Sequence, residues 1–361
     1  MKITGLGTTL VELPIDPPLE TSIHDIRSVG CVLTSLATDE GLVGEGYAFT
    51  LSSIRLDVID AMVRSLEHHV VGRDPHDIEA IWADIWRDLN FLGHKGITII
   101  GVSAVDVACW DIVGKAAGEP LHKLWGECRD GVKAYASGGL WLSLGTDELV
   151  AQAKDFIEEG FRAMKIRLGK PDIAEDVARV AAVREAIGPE IDLMSDSNQG
   201  LTVEHAIELG TQLAPFNLAW FEEPVPYYDF EGHAAIAAAL EVPVASGETE
   251  YTSHGMQGMI EAKAADILMP DLQRMGGYTE FRKAAALAAE HGIPVSPHIF
   301  SEQSLVLCGA LANAIYLEHM PWFATLYNEE MKLADGVIAM PEGPGVGFTF
   351  DMDAVDNHRI G

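Results

Sequence analysis

The segment IDLMSDSNQGLTVEHAIELGTQLAPFNLAWFEEP (191–224) decides the fold. It opens with a β-rich run, IDLMSD (191–196), and closes with another, LAWFEEP (218–224), while Thr202 can cap the helical stretch between them. Two such runs around one helix make a parallel βαβ unit. Reading outward in both directions finds the unit repeated. KAYAS (133–137), AMKIRL (163–168), VPVASGE (242–248), ADILMPD (265–271), IPVSPH (293–298) and AIYLE (314–318) bring the β-rich runs to eight. Eight units close a (β/α)8 TIM-type barrel, an α/β fold. A helical stretch such as DELVAQAKDFIEEG (147–160) repeats Leu149, Ala153, Phe156 and Ile157 on one face and can stop at Gly160. Thr279 is a second candidate N-cap.

Residues 1–127 read differently. Strand-like segments (MKITGLGTTLVEL, CVLTSLATDEGLVGEG) lead into helical ones, which predicts an N-terminal α+β capping domain ahead of a barrel at 128–322. The segment 323–361 is punctuated by Gly and Pro and is expected to pack on the capping domain and complete it.

Seven of the eight runs place an ionisable residue at or near the carboxyl end, where a barrel carries its active site. From Lys165 the intervals are 31 to Asp196, 26 to Glu222, 26 to Glu248, 23 to Asp271, 27 to His298 and 20 to Glu318, one βα unit each. Asp196, Glu222 and Glu248 end successive strands, so three like charges converge and require a cation. Oxygen-only ligation selects a hard ion, Mg²⁺ or alternatively Mn²⁺, with substrate and water completing about six ligands. Asn198, two residues past Asp196, can support that shell or the substrate. Asp271 and His298 end adjacent strands, and a carboxylate beside an imidazole makes a base with an orienter. Lys165 and Arg167 share one strand face, where Lys165 can bind a substrate carboxylate; Arg167 stays protonated. Glu318, among other carboxylates, is expected to have a raised pKa and to donate a hydrogen bond to an enolate oxygen. These parts together describe abstraction of a proton alpha to a carboxylate.

Composition narrows the partners. With 48% hydrophobic and 22% charged residues the chain is globular, and a net charge of −31 disfavours nucleic acid and anionic membranes, leaving a small molecule. The amino terminus lacks the pattern of a signal peptide, and no apolar run reads as reaching about 18 residues. Four scattered cysteines (Cys31, Cys109, Cys128, Cys308) suggest reduced thiols in a cytoplasmic protein.

The motifs AVDVACWDIVGKAAGEPLHKLWG (104–126), MKIRLG (164–169), SDSNQG (195–200), WFEEP (220–224), SGETE (246–250), LMPDLQRMGG (268–277), SPHIF (296–300) and YLE (316–318) resemble the mandelate racemase subgroup of the enolase superfamily across essentially the whole chain. The resemblance implies Mg²⁺ on Asp196, Glu222 and Glu248, a dyad of Asp271 and His298, and Glu318 as electrophilic acid. It implies that capping loops around 15–30 and 46–53 set specificity, with His24, Arg27 and Tyr47 as substrate contacts and Ser137 and Trp141 as further ones. It also suggests a homo-oligomer, dimer or octamer. One departure matters: racemases of the subgroup carry Lys-x-Lys on the second strand, and Arg167 stands at the second Lys. One competent base favours elimination, the reaction of an acid-sugar dehydratase. An epimerase, racemase or lactone cycloisomerase is the first alternative, and a non-catalytic binding protein on the same fold the second.

Overall fold

The computed structural model describes residues 1–360. The amino-terminal part contains β1 (Ile3–Glu20), β2 (Asp25–Thr38), β3 (Val43–Leu51), α1 (Leu56–Ser65), α2 (Glu67–Val70), α3 (Ile78–Asp88), α4 (Ile97–Ala117) and α5 (Leu121–Leu124). Its three strands form an antiparallel meander in the order β1-β2-β3. Helix α4 lies directly on β3 because Gly44 and Gly46 have no side chains: a Cβ there would come within 2.0 Å of the Ala108 carbonyl oxygen and 2.3 Å of the Ala104 carbonyl oxygen. This helix corrects one expectation. At 21 residues it is long and apolar enough to cross a membrane, yet 72% of its most apolar window is buried inside the protein.

The barrel follows as β4 (Gly131–Ala136), α6 (Thr146–Glu158), β5 (Ala163–Arg167), α7 (Ile173–Ile187), β6 (Asp192–Asp196), α8 (Val203–Leu213), β7 (Phe221–Glu222), α9 (Phe230–Ala239), β8 (Val244–Ser246), α10 (Thr252–Ala262), β9 (Ile267–Leu268), α11 (Leu272–Met275), α12 (Tyr278–Glu290), α13 (Ser301–Ala310) and β10 (Leu317–His319). Strands β4 to β9 pair in parallel in chain order, and β10 returns to β4. The run at 293–298 closes the remaining gap through single bridges, Val295 to Leu268 and Ala314, and His298 to Asp271. Pro294 and Pro297 explain why it is no longer ladder: each removes a backbone donor. The interior is filled by Tyr135, Met194, Trp220, Met269 and Tyr316, with the Tyr135 and Trp220 rings edge-to-face at 5.3 Å.

Barrel and cap share a buried seam. Asp106 of α4 accepts hydrogen bonds from Thr279 N (3.0 Å) and Thr279 Oγ1 (2.5 Å). Thr279 is therefore not the N-cap of α12; Gly277 is, at φ +96, where a Cβ would collide with Asp106. Thr202 does cap α8, accepting from His205 N. The tail forms β11 (Leu333–Ala334), β12 (Val337–Ala339) and α14 (Met352–His358). It contacts both parts: β12 pairs antiparallel with β4, whereas Val346 N donates to Asp111 of α4 and Ile360 N to Leu10 of β1. All four cysteines are free, three of them buried.

Candidate active site

The carboxyl ends of the strands bring the expected ionisable groups together. Lys165 and Arg167 leave β5 on one face, and both are buried. Lys165 Nζ lies 2.6 Å from Glu222 Oε1, 3.1 Å from Glu318 Oε1 and 3.6 Å from Asp196 Oδ2. It rests over the Tyr135 ring at 5.4 Å. Burial lowers the pKa of this ammonium, but the three carboxylates outweigh it and raise the pKa, which favours Lys165 as a positive charge.

The same crowding loads the acids. Burial, together with Asp196, Glu318 and Glu248 and against the opposing pull of Lys165, pushes Glu222 up to about 8. Trp220, two residues earlier and on the same strand face, donates its indole N–H to Glu222 Oε2 at 2.8 Å. Asp196 is held by Asn198, whose backbone N and side-chain Nδ2 donate to it at 2.7 and 3.0 Å. Next to Glu222, Glu223 is buried with Oε1 unpartnered and its pKa driven well up by burial and by Glu248. Buried carboxylates in excess of cations, with Asn198 Oδ1 also unpartnered, form a donor set of hard oxygens that fits a divalent ion such as Mg²⁺. Glu222 directs both oxygens to Lys165 and Trp220, so a cation would compete with Lys165 for it.

Across the site, His298 Nδ1 is 2.8 Å from Asp271 Oδ2, and Nε2 is 3.4 Å from Glu248 Oε2. Asp271 is the N-cap of α11, accepting from Arg274 N, which locks its rotamer. Burial lowers the imidazole pKa, but Glu248, the Asp271 hydrogen bond and Glu318 more than compensate and bring it to about 9. The backbone beyond His298 is strained, with Ile299 at φ +45 and Phe300 at φ +51, and the Ile299 amide donates to Glu318 Oε2 at 2.7 Å.

Glu318 departs from expectation. Burial pushes its pKa up, but Lys165, His298, the Ser137 hydroxyl and the Ile299 amide pull it down to about 2. Its neighbours are cations and donors, not only other acids, and its oxygens accept from Lys165, Ser137 and the Ile299 amide. Ser137 is similarly engaged: wholly buried, it donates to Glu318 at 2.6 Å and accepts from Arg167 at 2.9 Å, so its hydroxyl links those two side chains. Arg167 also donates to the Ser137 carbonyl at 2.9 Å and stacks on Trp141 at 4.3 Å; Trp322 lies parallel beyond.

The cap candidates separate. The segment at 15–30 is chiefly strand, not loop, and its turn meets the barrel through Ser22, whose hydroxyl donates to the Ser197 carbonyl at 2.6 Å. His24 is exposed on that turn, two residues from the contact. Arg27 is exposed and paired with Asp25 at 2.8 Å. Tyr47 is in strand β3, buried in the seam with its ring 4.9 Å from Phe300, because an aromatic between two apolar surfaces packs before it reaches a polar ligand. Sequence reasoning missed Ser22, Glu223, Trp220 and Arg274, which donates to the Glu248 carbonyl at 2.7 Å. Only Trp220 had a usable signal, its two-residue spacing from Glu222.

Residues 4–126 match the family model for the mandelate racemase / muconate lactonizing enzyme N-terminal domain, and 148–354 the enolase C-terminal domain-like model. The chain is 35% identical to L-talarate/galactarate dehydratase of Salmonella typhimurium, over 93% of this chain and 87% of that one. It is also 35% identical to D-galactarolactone cycloisomerase of Agrobacterium fabrum, over 100% and 99%. A crystal structure of the Salmonella dehydratase liganded with Mg and L-lyxarohydroxamate superposes with a TM-score of 0.95 at 33% identity, covering 99% of this chain and 93% of that one.

Proposed function

Because the chain belongs to the mandelate racemase / muconate lactonizing enzyme family of the enolase superfamily, we propose that it is a Mg²⁺-dependent sugar-acid dehydratase. It removes the proton alpha to a carboxylate and eliminates the β-hydroxyl to leave a 2-keto-3-deoxy acid. The observation that carries this reading is the asymmetry of the site: one imidazole oriented by a carboxylate on one side, and on the other a guanidinium held by Ser137 and Trp141. A guanidinium is not a base in proteins, so a two-base racemisation lacks its second partner.

Asp196, Glu222 and Glu248 are the residues that would hold Mg²⁺, which supplies Lewis-acid stabilisation of negative charge on the substrate carboxylate. Lys165 adds a buried hydrogen-bond donor to the developing enolate, and Glu318 with Ser137 positions that ammonium. In its neutral form His298 takes the α-proton at Nε2 while Asp271 holds its Nδ1–H. The resulting imidazolium returns the proton to the departing β-hydroxyl, which leaves as water, and the enol relaxes to the ketone.

The test is a screen of mono- and diacid sugars in D₂O with and without Mg²⁺. A 2-keto product that requires the metal is expected. Deuterium entering the α-position with no 2-keto product would sink the dehydratase reading. A lactone cycloisomerase is the second reading, supported by the full-length Agrobacterium relative; an intramolecular product without net water loss would select it.

We place the protein in the cytoplasm as a homo-oligomer, dimer or octamer, which light scattering of the eluted protein tests. The free cysteines support a reducing compartment. The division we favour is a cap at 1–127, a barrel at 128–322 and a tail at 323–361, supported by the tail's bonds to α4 and β1.

A further inference from the structure

On the cap, remote in sequence from the barrel carboxylates, a second group of metal-ligating side chains uses nitrogen donors. His68 and His69 lie on α2, and Asp88 is the last residue of α3. Asp88 Oδ2 stands 3.1 Å from His69 Nε2 and 3.9 Å from His68 Nε2, and the three donor atoms all lie within 4.8 Å of one another. Metal–ligand bonds of about 2.0–2.2 Å in a tetrahedron put donors roughly 3.4 Å apart, so the two measured separations bracket that value.

The orientation of His68 is the second observation. Its Nδ1 is 2.8 Å from the Ser65 carbonyl oxygen. A carbonyl can only accept, so Nδ1 carries the hydrogen and, in the neutral ring, the lone pair is on Nε2, which lies 3.9 Å from Asp88 Oδ2. Metal-binding histidines use this arrangement, in which the second nitrogen donates to a carbonyl and fixes the tautomer. The two imidazole rings are 4.0 Å apart, and His68 and Asp88 are exposed, which leaves room for water as a fourth ligand.

We propose that His68, His69 and Asp88 form a surface site for a borderline divalent transition ion of the Zn²⁺ class, tying the α2 turn to the end of α3. Two imidazoles and one carboxylate suit Zn²⁺, Co²⁺ or Ni²⁺, whereas Mg²⁺ takes oxygen and keeps its waters. The site is therefore chemically distinct from the one at the barrel strands.

The test is calorimetric titration of ZnCl₂ into the full-length protein with the barrel site saturated by excess Mg²⁺. One Zn²⁺ equivalent is expected, with its Kd rising about tenfold or more in His69→Gln and in Asp88→Asn. Zn²⁺ should also raise the Tm of the wild type and not of either variant. No bound equivalent in the presence of Mg²⁺, or a Kd unchanged in both variants, overturns the proposal. A measurement on the wild type alone guards against a variant that fails to fold. Co²⁺ should develop the intense visible bands of a four-coordinate ion, and the pale spectrum of the octahedral aquo ion would count against the site.

Discussion

Replacing Asp271 with Asn tests the base directly. Asp271 accepts from His298 Nδ1 at 2.8 Å and from Arg274 N at 2.8 Å, and is wholly buried. A hydrogen bond to a charged group is worth roughly 1.5–3 kcal/mol, and at about 1.36 kcal/mol per tenfold its loss costs about 10- to 150-fold in rate. Tautomer adds to this. An Asn amide can present N–H to Nδ1, which moves the imidazole hydrogen to Nε2, the atom that must receive the substrate proton. The equivalent change in the serine-protease triad costs about 10⁴-fold, so the expected fall in kcat lies between about 10² and 10⁴. Asn caps helices as well as Asp, so the bond from Arg274 N survives and the Tm should move little. The assay is α-deuterium incorporation and 2-keto product formation followed by proton NMR in D₂O, with near-ultraviolet circular dichroism to verify the fold. A variant within about threefold of wild type would refute the role of Asp271 as orienter and leave His298 without a partner.

Further expectations concern the metal shell, the seam and pH. Trp220→Phe keeps the ring but removes the indole donor 2.8 Å from Glu222, and should weaken Mg²⁺ binding about 10- to 100-fold in a calorimetric titration, an unchanged affinity arguing against Glu222 as ligand. Gly44→Ala puts a Cβ 2.0 Å from the Ala108 carbonyl oxygen, so α4 must shift; a cost of about 1–3 kcal/mol is expected, seen as a Tm several degrees lower. Asp106 has its pKa raised to about 7, chiefly by burial and against the Thr279 hydrogen bonds. Between roughly pH 4 and 7 the folded chain therefore holds a proton that the unfolded chain has released. That contribution is fully present below about pH 4 and lost as pH rises through 7, with about 4 kcal/mol as its ceiling. Asp106→Asn should flatten the pH dependence of the urea midpoint over that window, and an unchanged slope would show that Asp106 is ionised throughout.

Periodicity and spacing carried most of the architecture. A strand that ends on an ionisable residue once per βα unit is a local pattern, so the barrel and its ring of Lys165, Asp196, Glu222, Glu248, Asp271, His298 and Glu318 could be read along the chain. The seventh strand was legible as a hydrophobic run, although its two prolines reduce it to single bridges. What sequence could not determine was the electrostatic state of each group, because a pKa depends on which neighbours lie within a few ångströms. Glu318 looked like one acid among acids; tertiary structure sets it between Lys165, Ser137 and the Ile299 amide, which pull its pKa down instead of up. Thr279 looked like a cap until Asp106 arrived from a helix 173 residues away. Ser22 and Tyr47 went the same way, one found on the barrel loops and the other lost to the seam, because contacts across two folded parts leave no periodic trace in either.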